Sequence, residues 1–171
     1  MTYGTVAAFV DYHEARGRDI PGTWDDTVIA AALLVASEWI DAVYGPSFTG
    51  YKTAGFTQER EWPRAGTLVR STGYWGDYYA YPDTEVPDRV EYATYEAAWR
   101  EATTPQSLDI DYTPGKYKSV TIEGALSVDY REVNAPDLMI QISKVDNWLW
   151  PLLDNGSGAS LSSLSGGSTR V

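Results

Sequence analysis

The segment from Asp25 to Tyr44 constrains this chain more than any other. Ile29, Leu33, Ala36, Ile40 and Val43 recur at spacings of three and four, the period that aligns side chains along one face of an α-helix. Trp39 lies beside that stripe. Thr23-Trp24-Asp25-Asp26 reads as a capping box, with Thr23 as N-cap and Asp26 where Glu usually stands. Gly45-Pro46 closes the helix. A long helix with one apolar face needs other elements to cover that face, so the rest of the chain must supply them.

The flanking sequence does so. Thr5 is a plausible N-cap for a short helix carrying Val6, Ala7, Phe9, Val10 and Ala15, which Gly17 stops. Pro87 opens a third helix at its first position. There Val90, Ala93 and Ala97 form a narrow face of mostly small residues that another helix can approach closely. This helix ends before Pro105. A fourth begins at Pro136, with Leu138, Ile142, Val145, Leu149 and Leu152 at helical spacing; Pro151 kinks or frays its end. Lys118–Ile122 and Leu126–Glu132 alternate as two strands around Glu123-Gly124-Ala125. Residues 46–86 are irregular, punctuated by Gly and Pro, with a short strand or hairpin near Thr57–Trp62. Five aromatics, Tyr74, Trp75, Tyr78, Tyr79 and Tyr81, crowd an extended loop between Ser71 and Tyr81. Ten of the 17 residues from Asn155 to Val171 are Gly or Ser, a composition for a flexible tail. The predicted fold is mainly α: a small bundle of about four helices with a β-hairpin or short strands. Residues 1–154 form the domain, with an aromatic insertion at about 67–86, and 155–171 the tail.

Composition removes several functions. With 13 Lys and Arg against 24 Asp and Glu, the net charge is −11. Nucleic acid is bound chiefly through cations that displace counterions, and here they are scattered singly. Cysteine is absent, which excludes disulfides and thiolate chemistry and fits a reducing compartment. The N-terminus lacks the basic region and apolar core of a signal peptide. No run approaches the ~18 consecutive apolar residues of a membrane span, so no membrane partner is expected.

Candidate chemistry is sparse. His13 is the sole histidine; it lies mid-helix with no nucleophile motif nearby, and reads as structural. Asp109 and Asp111 lack the length and Gly placement of a calcium loop. Phosphate-cradling glycine motifs are absent, and no pair of carboxylates is singled out for glycoside hydrolysis. The 71–81 aromatics could stack on bases or sugars, but only Arg70 is near and Asp77 opposes it, so packing within the domain or on a neighbour is favoured. The expectation is a non-enzyme without cofactor or metal.

Four stretches in order carry a resemblance. They are the paired helices Thr5–Arg16 and Asp25–Tyr44 followed by Tyr-Gly; Glu61-Trp62-Pro63-Arg64-Ala65-Gly66; Val86-Pro87 with Val90, Ala93, Glu96 and Ala98; and Gly124, Leu126-Ser127-Val128 and Tyr130, followed by Val145-Asp146, Leu149 and Pro151-Leu152-Leu153, then the tail. Together they resemble the head–tail connector (adaptor, head-completion) proteins of tailed phages, some of which are labelled DnaT-like single-stranded-DNA-binding proteins. The stretch between Gly66 and Val86 departs from the pattern in being longer and more aromatic. The resemblance implies a virion neck protein, made in the host cytoplasm: a ring of about twelve copies (a dodecamer) that joins the portal to a tail-side connector or terminator. Double-stranded DNA would pass through during packaging without specific binding. Trp62, Arg64, Tyr74, Trp75, Tyr78, Tyr79, Ala93 and Ala97 become candidates for packing between subunits. Leu161, Leu164, Arg170 and Val171 become anchors for docking the tail on the portal, by addition to a sheet edge. The rival readings are a single-stranded-DNA-binding protein and a carbohydrate-binding or carbohydrate-active domain using the 71–81 aromatics.

Overall fold

The computed structural model describes residues 1–70, 78–109, 119–122, 126–129 and 141–154, with backbone alone at 78, 119–122 and 126–129. Four α-helices dominate: α1 (Val6–Glu14), α2 (Asp26–Tyr44), α3 (Asp88–Thr103) and α4 (Ser143–Leu149). The mainly α class predicted from the sequence is the one observed.

Caps decide where the helices begin. The Thr5 hydroxyl accepts from the Ala8 N–H at 3.2 Å and starts α1 as predicted. At α2 the predicted N-cap is corrected: Asp25, not Thr23, accepts from the Val28 N–H at 2.9 Å. Both side chains have the right chemistry, and the stripe fits Asp25 better because Ile29 then falls on the buried face. Pro87 stands at the N-cap of α3, one residue earlier than predicted, its carbonyl accepting from Val90 at 2.8 Å. The other end of α3 is folded back by Glu101, whose buried carboxylate accepts from the Gln106 N–H at 2.6 Å and the Leu108 N–H at 3.1 Å. α4 begins at Ser143, and Trp150–Leu152 continue it as a 3-10 turn containing Pro151. The predicted start at Pro136 is corrected: Gln141 lies outside the helix and Ile142 is its N-cap, in extended conformation, while 130–140 lie outside the described residues.

Helices α2 and α3 pack together, and α4 packs on α3. They run antiparallel. Trp24, just before α2, meets Trp99, late in α3, with ring centroids 4.9 Å apart. At the other end Thr53, beyond α2, donates to the carbonyl of Asp83, just before α3. The predicted stripe of Ile29, Leu33, Ala36 and Ile40 is buried there. By length and composition Asp26–Ser47 could cross a membrane, with a mean hydropathy of 1.5, although it contains no unbroken apolar run of the length sought in the sequence. Its apolar face is spent on this core.

Short antiparallel pairs cover the end where α2 finishes. β1 (Tyr51–Lys52) pairs with β2 (Arg64–Ala65), and β3 (Leu68–Arg70) with β4 (Tyr78–Ala80). The expected hairpin at Thr57–Trp62 is therefore displaced to its flanks. The reason is Gln58: its side chain accepts from the Ala54 N–H at 3.0 Å and donates to the carbonyls of Arg60 and Pro63 at 2.9 Å each. Three backbone groups around the loop are thus taken by one side chain and not by a partner strand. The aromatic stretch Ser71–Tyr81, read as an extended loop, is corrected at its end, where Tyr78–Ala80 form β4 against β3; 71–77 lie outside the described residues. β5 (Ser119–Ile122) and β6 (Leu126–Asp129) pair as the sequence suggested. The chain returns at Phe48, which bridges Leu153, while the Asp154 N–H donates to the Ser47 carbonyl at 2.7 Å.

Candidate functional site

The Trp62-Pro63-Arg64-Ala65-Gly66 stretch builds a knot inside the subunit. Trp62 is buried against Phe48 and Tyr81, with ring centroids at 5.3 and 6.4 Å. Arg64 is buried too. Its guanidinium donates to the carbonyls of Thr49 at 2.9 Å, Phe48 at 3.3 Å and Gly50 at 2.8 Å, and to Glu61 at 2.6 Å. Lys52 holds Glu61 from the other side at 2.9 Å. One planar fork thus fixes the turn after α2. Gly50 (φ +75°) completes it, since a Cβ there would stand 2.4 Å from the Ala65 carbonyl. The motif is structural: Trp62 and Arg64 present almost no surface to a neighbouring subunit.

Two further polar clusters tie distant segments together. Tyr3 donates to Asp41 at 2.5 Å and receives the Trp62 N–H at 3.1 Å, while Arg60 donates to the Met1 carbonyl at 2.6 Å and pairs with Asp41 at 3.5 Å. Burial raises the Asp41 carboxyl above its ordinary value, against the opposing pull of Tyr3 and Arg60. The second cluster joins α1, α3 and α4. Glu96 accepts from Arg18 at 2.9 Å, Tyr12 at 3.1 Å and Lys144 at 3.4 Å. Burial pushes this carboxyl up, but the bond and charge of Arg18, with Lys144 and Tyr12, outweigh it and hold the group below its ordinary value.

His13 sits in this second cluster, fully buried. Its Nε2 lies 3.2 Å from the Tyr95 carbonyl and its Nδ1 lies 3.2 Å from the Arg18 guanidinium. A carbonyl only accepts and a guanidinium only donates, so both contacts require the neutral tautomer with its proton on Nε2. Burial, with Arg18 and Arg16 adding to it, lowers the pKa to about 4. Both ring nitrogens are engaged within the fold, in keeping with the structural role read from the sequence.

The proposed inter-subunit candidates separate. Ala93 and Ala97 are fully buried, on a helix that packs against α2 and α4 of the same chain. That use of them is corrected, as it is for Trp62 and Arg64. Tyr79 is well exposed. Tyr74 and Trp75, the side chain of Tyr78, and the tail anchors Leu161, Leu164, Arg170 and Val171 lie outside the described residues.

The structure exposes apolar side chains that the sequence did not single out: Tyr51, Leu68 and, above all, Phe56, at 104% of full exposure. Phe56 tops the Gly55–Thr57 turn that Gln58 braces. At the opposite end of the α2–α3 pair, Trp99, Arg100, Thr103, Thr104 and Ser107 line an open groove of about 340 Å³. Arg100 lies at its edge and is exposed. The other described basic side chains are all engaged. Arg18, Lys52, Arg60, Arg64 and Lys144 are in ion pairs, and Arg16, Arg70 and Arg89 lie over aromatic rings. No such partner is found for Arg100 among the described residues.

A mainly helical core, a net negative charge and cations mostly engaged by groups of their own chain define a class of small bundle proteins, without a recognisable reaction centre among the described residues. The particular family follows from comparison. Residues 2–165 match the family described as "Putative DnaT-like ssDNA binding protein", and the chain belongs to that family. No curated protein and no solved structure matches it.

Proposed function

We propose that this chain is a structural subunit of a tailed-phage neck. About twelve copies would form a ring between the portal and a tail-side protein, with double-stranded DNA passing through and not held. In this reading the chain performs no chemistry on a substrate and works in the virion. The observation that carries the choice is the fate of the cations. A net charge of −11 surrounds arginines that grip carbonyls, carboxylates and rings of their own chain. A surface that holds phosphates needs the reverse, whereas a conduit gains from not gripping its cargo. The ordered motifs from Thr5 to Leu153 support the same reading.

A second reading, single-stranded DNA binding, is favoured by the family's description and by the exposed rings of Tyr51, Phe56 and Tyr79, which have the character of base-stacking platforms. Fluorescence anisotropy with a labelled oligothymidylate at low salt separates the two. The neck reading expects no salt-sensitive binding, and capture of the chain by assembled portal. Micromolar binding that weakens steeply with salt would establish the second reading. Deletion of 155–171 tests the tail: portal docking is lost while the far-UV spectrum and unfolding midpoint are kept. Unimpaired docking removes the tail from the mechanism.

A further inference from the structure

Phe56 and the Trp99 groove are complementary in four ways. In position, the first lies beyond the C-terminal end of α2 and the second at the C-terminal end of α3, which the antiparallel pairing places at opposite ends of the bundle. In shape, one is a fully exposed aromatic ring on a turn and the other an open groove of about 340 Å³, at the lower end of volumes that hold a bound group. In rigidity, the turn is braced by Gln58, by Thr57 donating to the Ala54 carbonyl at 3.0 Å, and by Lys52 donating to the Gln58 carbonyl at 3.3 Å. The indole of the groove is backed by Phe9, Trp24 and His13, with centroids at 6.3, 4.9 and 4.4 Å. In charge, exposed Glu59 and Asp83 flank the turn, whereas Arg100 at the groove has no ion-pair partner among the described residues.

A knob at one end and a receptacle at the other cannot satisfy each other within one copy. They can do so between copies, as a heterologous contact that propagates from each subunit to the next and removes its own free ends only by closing. We propose that Phe56 of one copy seats in the groove beside Trp99 of the next, with Arg100 facing the acidic residues around the incoming turn. This deepens the ring reading and rests on it for closure.

The absence of cysteine makes the test specific. The full-length variant carrying both Ala54→Cys, on the exposed side of the turn beside Phe56, and Thr103→Cys is treated with a short bismaleimide, and products are separated on a denaturing gel. The expected result is a ladder running past dimer. A mixture of the two single variants should stop at a heterodimer. Excess wild-type chain should suppress the ladder, and excess Phe56→Ser/Thr103→Trp chain should not. Products no greater than those of Ala31→Cys, a control on the exposed face of α2, overturn the contact. Portal capture measured on the same preparations keeps the outcomes apart: capture without a ladder overturns this interface and leaves the neck reading standing, whereas loss of both removes the two together.

Discussion

Replacing Arg64 separates a structural role from an interface role, because the two predict opposite outcomes. In Arg64→Ala the Glu61 carboxylate loses its 2.6 Å partner, and the Phe48 and Gly50 carbonyls lose the donor at 3.3 and 2.8 Å. The Thr49 carbonyl keeps a weaker donor in the Thr67 hydroxyl at 3.4 Å, and Lys52 still holds Glu61. Breaking a buried ion pair costs about 3–5 kcal/mol, and each buried carbonyl left unsatisfied adds about 1–3 kcal/mol before relaxation. Water reaching the vacated space offsets part of this, so the expected loss is about 4 kcal/mol. In a domain of this size that is roughly 10 °C in Tm. Arg64→Lys keeps the charge but not the fork, and should lose about half as much. The assay is urea unfolding followed by tryptophan fluorescence, with unchanged m-values confirming a common unfolded state. An Arg64→Ala chain within about 0.5 kcal/mol of wild type that fails to assemble would refute the reasoning and return Arg64 to a subunit interface.

Three further outcomes are expected. His13 has a folded pKa of about 4 against an ordinary 6.5, so the unfolded chain binds more protons between those values. Its contribution is complete above pH 6.5 and is lost as pH falls to about 4, by about 3 kcal/mol in total; urea unfolding across this range should show a shallower slope for His13→Gln, and identical slopes contradict the assignment. Gly50→Ala places a Cβ 2.4 Å from a backbone oxygen at φ +75°, whereas Gly17→Ala, at φ +70°, meets nothing within 4 Å. The first should cost more than about 2 kcal/mol and the second about 1 kcal/mol, measured by the same unfolding assay, and equal costs would be inconsistent with the packing described. Phe56→Ser should leave the unfolding free energy within about 0.5 kcal/mol of wild type, because the ring touches nothing in its own subunit, and a larger loss would mean that the ring is packed.

What the sequence conveyed depended on the length of each signal. α2 was legible because five apolar residues repeat over its whole length, and no strand could bury them together. β1 and β2 have two residues each, too few for alternation to register, and they lie on either side of the segment where the strand was expected. Ala93 and Ala97 marked a face for packing, but side-chain size does not say what covers it; both are buried within their own chain. Arg64 was marked by its motif, yet its partners are three consecutive carbonyls with no side-chain signature. Phe56 was passed over because one aromatic between Gly and Thr carries no periodicity. Its significance comes from a turn that points it outward and from Gln58, whose three bonds hold that turn.

The antiparallel bridge between Phe48 and Leu153 has a consequence for reach. It fixes the point from which the remaining 17 residues, Asn155 to Val171, depart. Contour arithmetic at about 3.4 Å per residue lets Leu161 lie no farther than about 25 Å from that tether, and Val171 no farther than about 60 Å. In the proposed docking role the segment would present its partner with the local concentration of a tethered ligand, and moving the tether by cutting the Asp154–Ser47 contact would dilute all the proposed anchors at once.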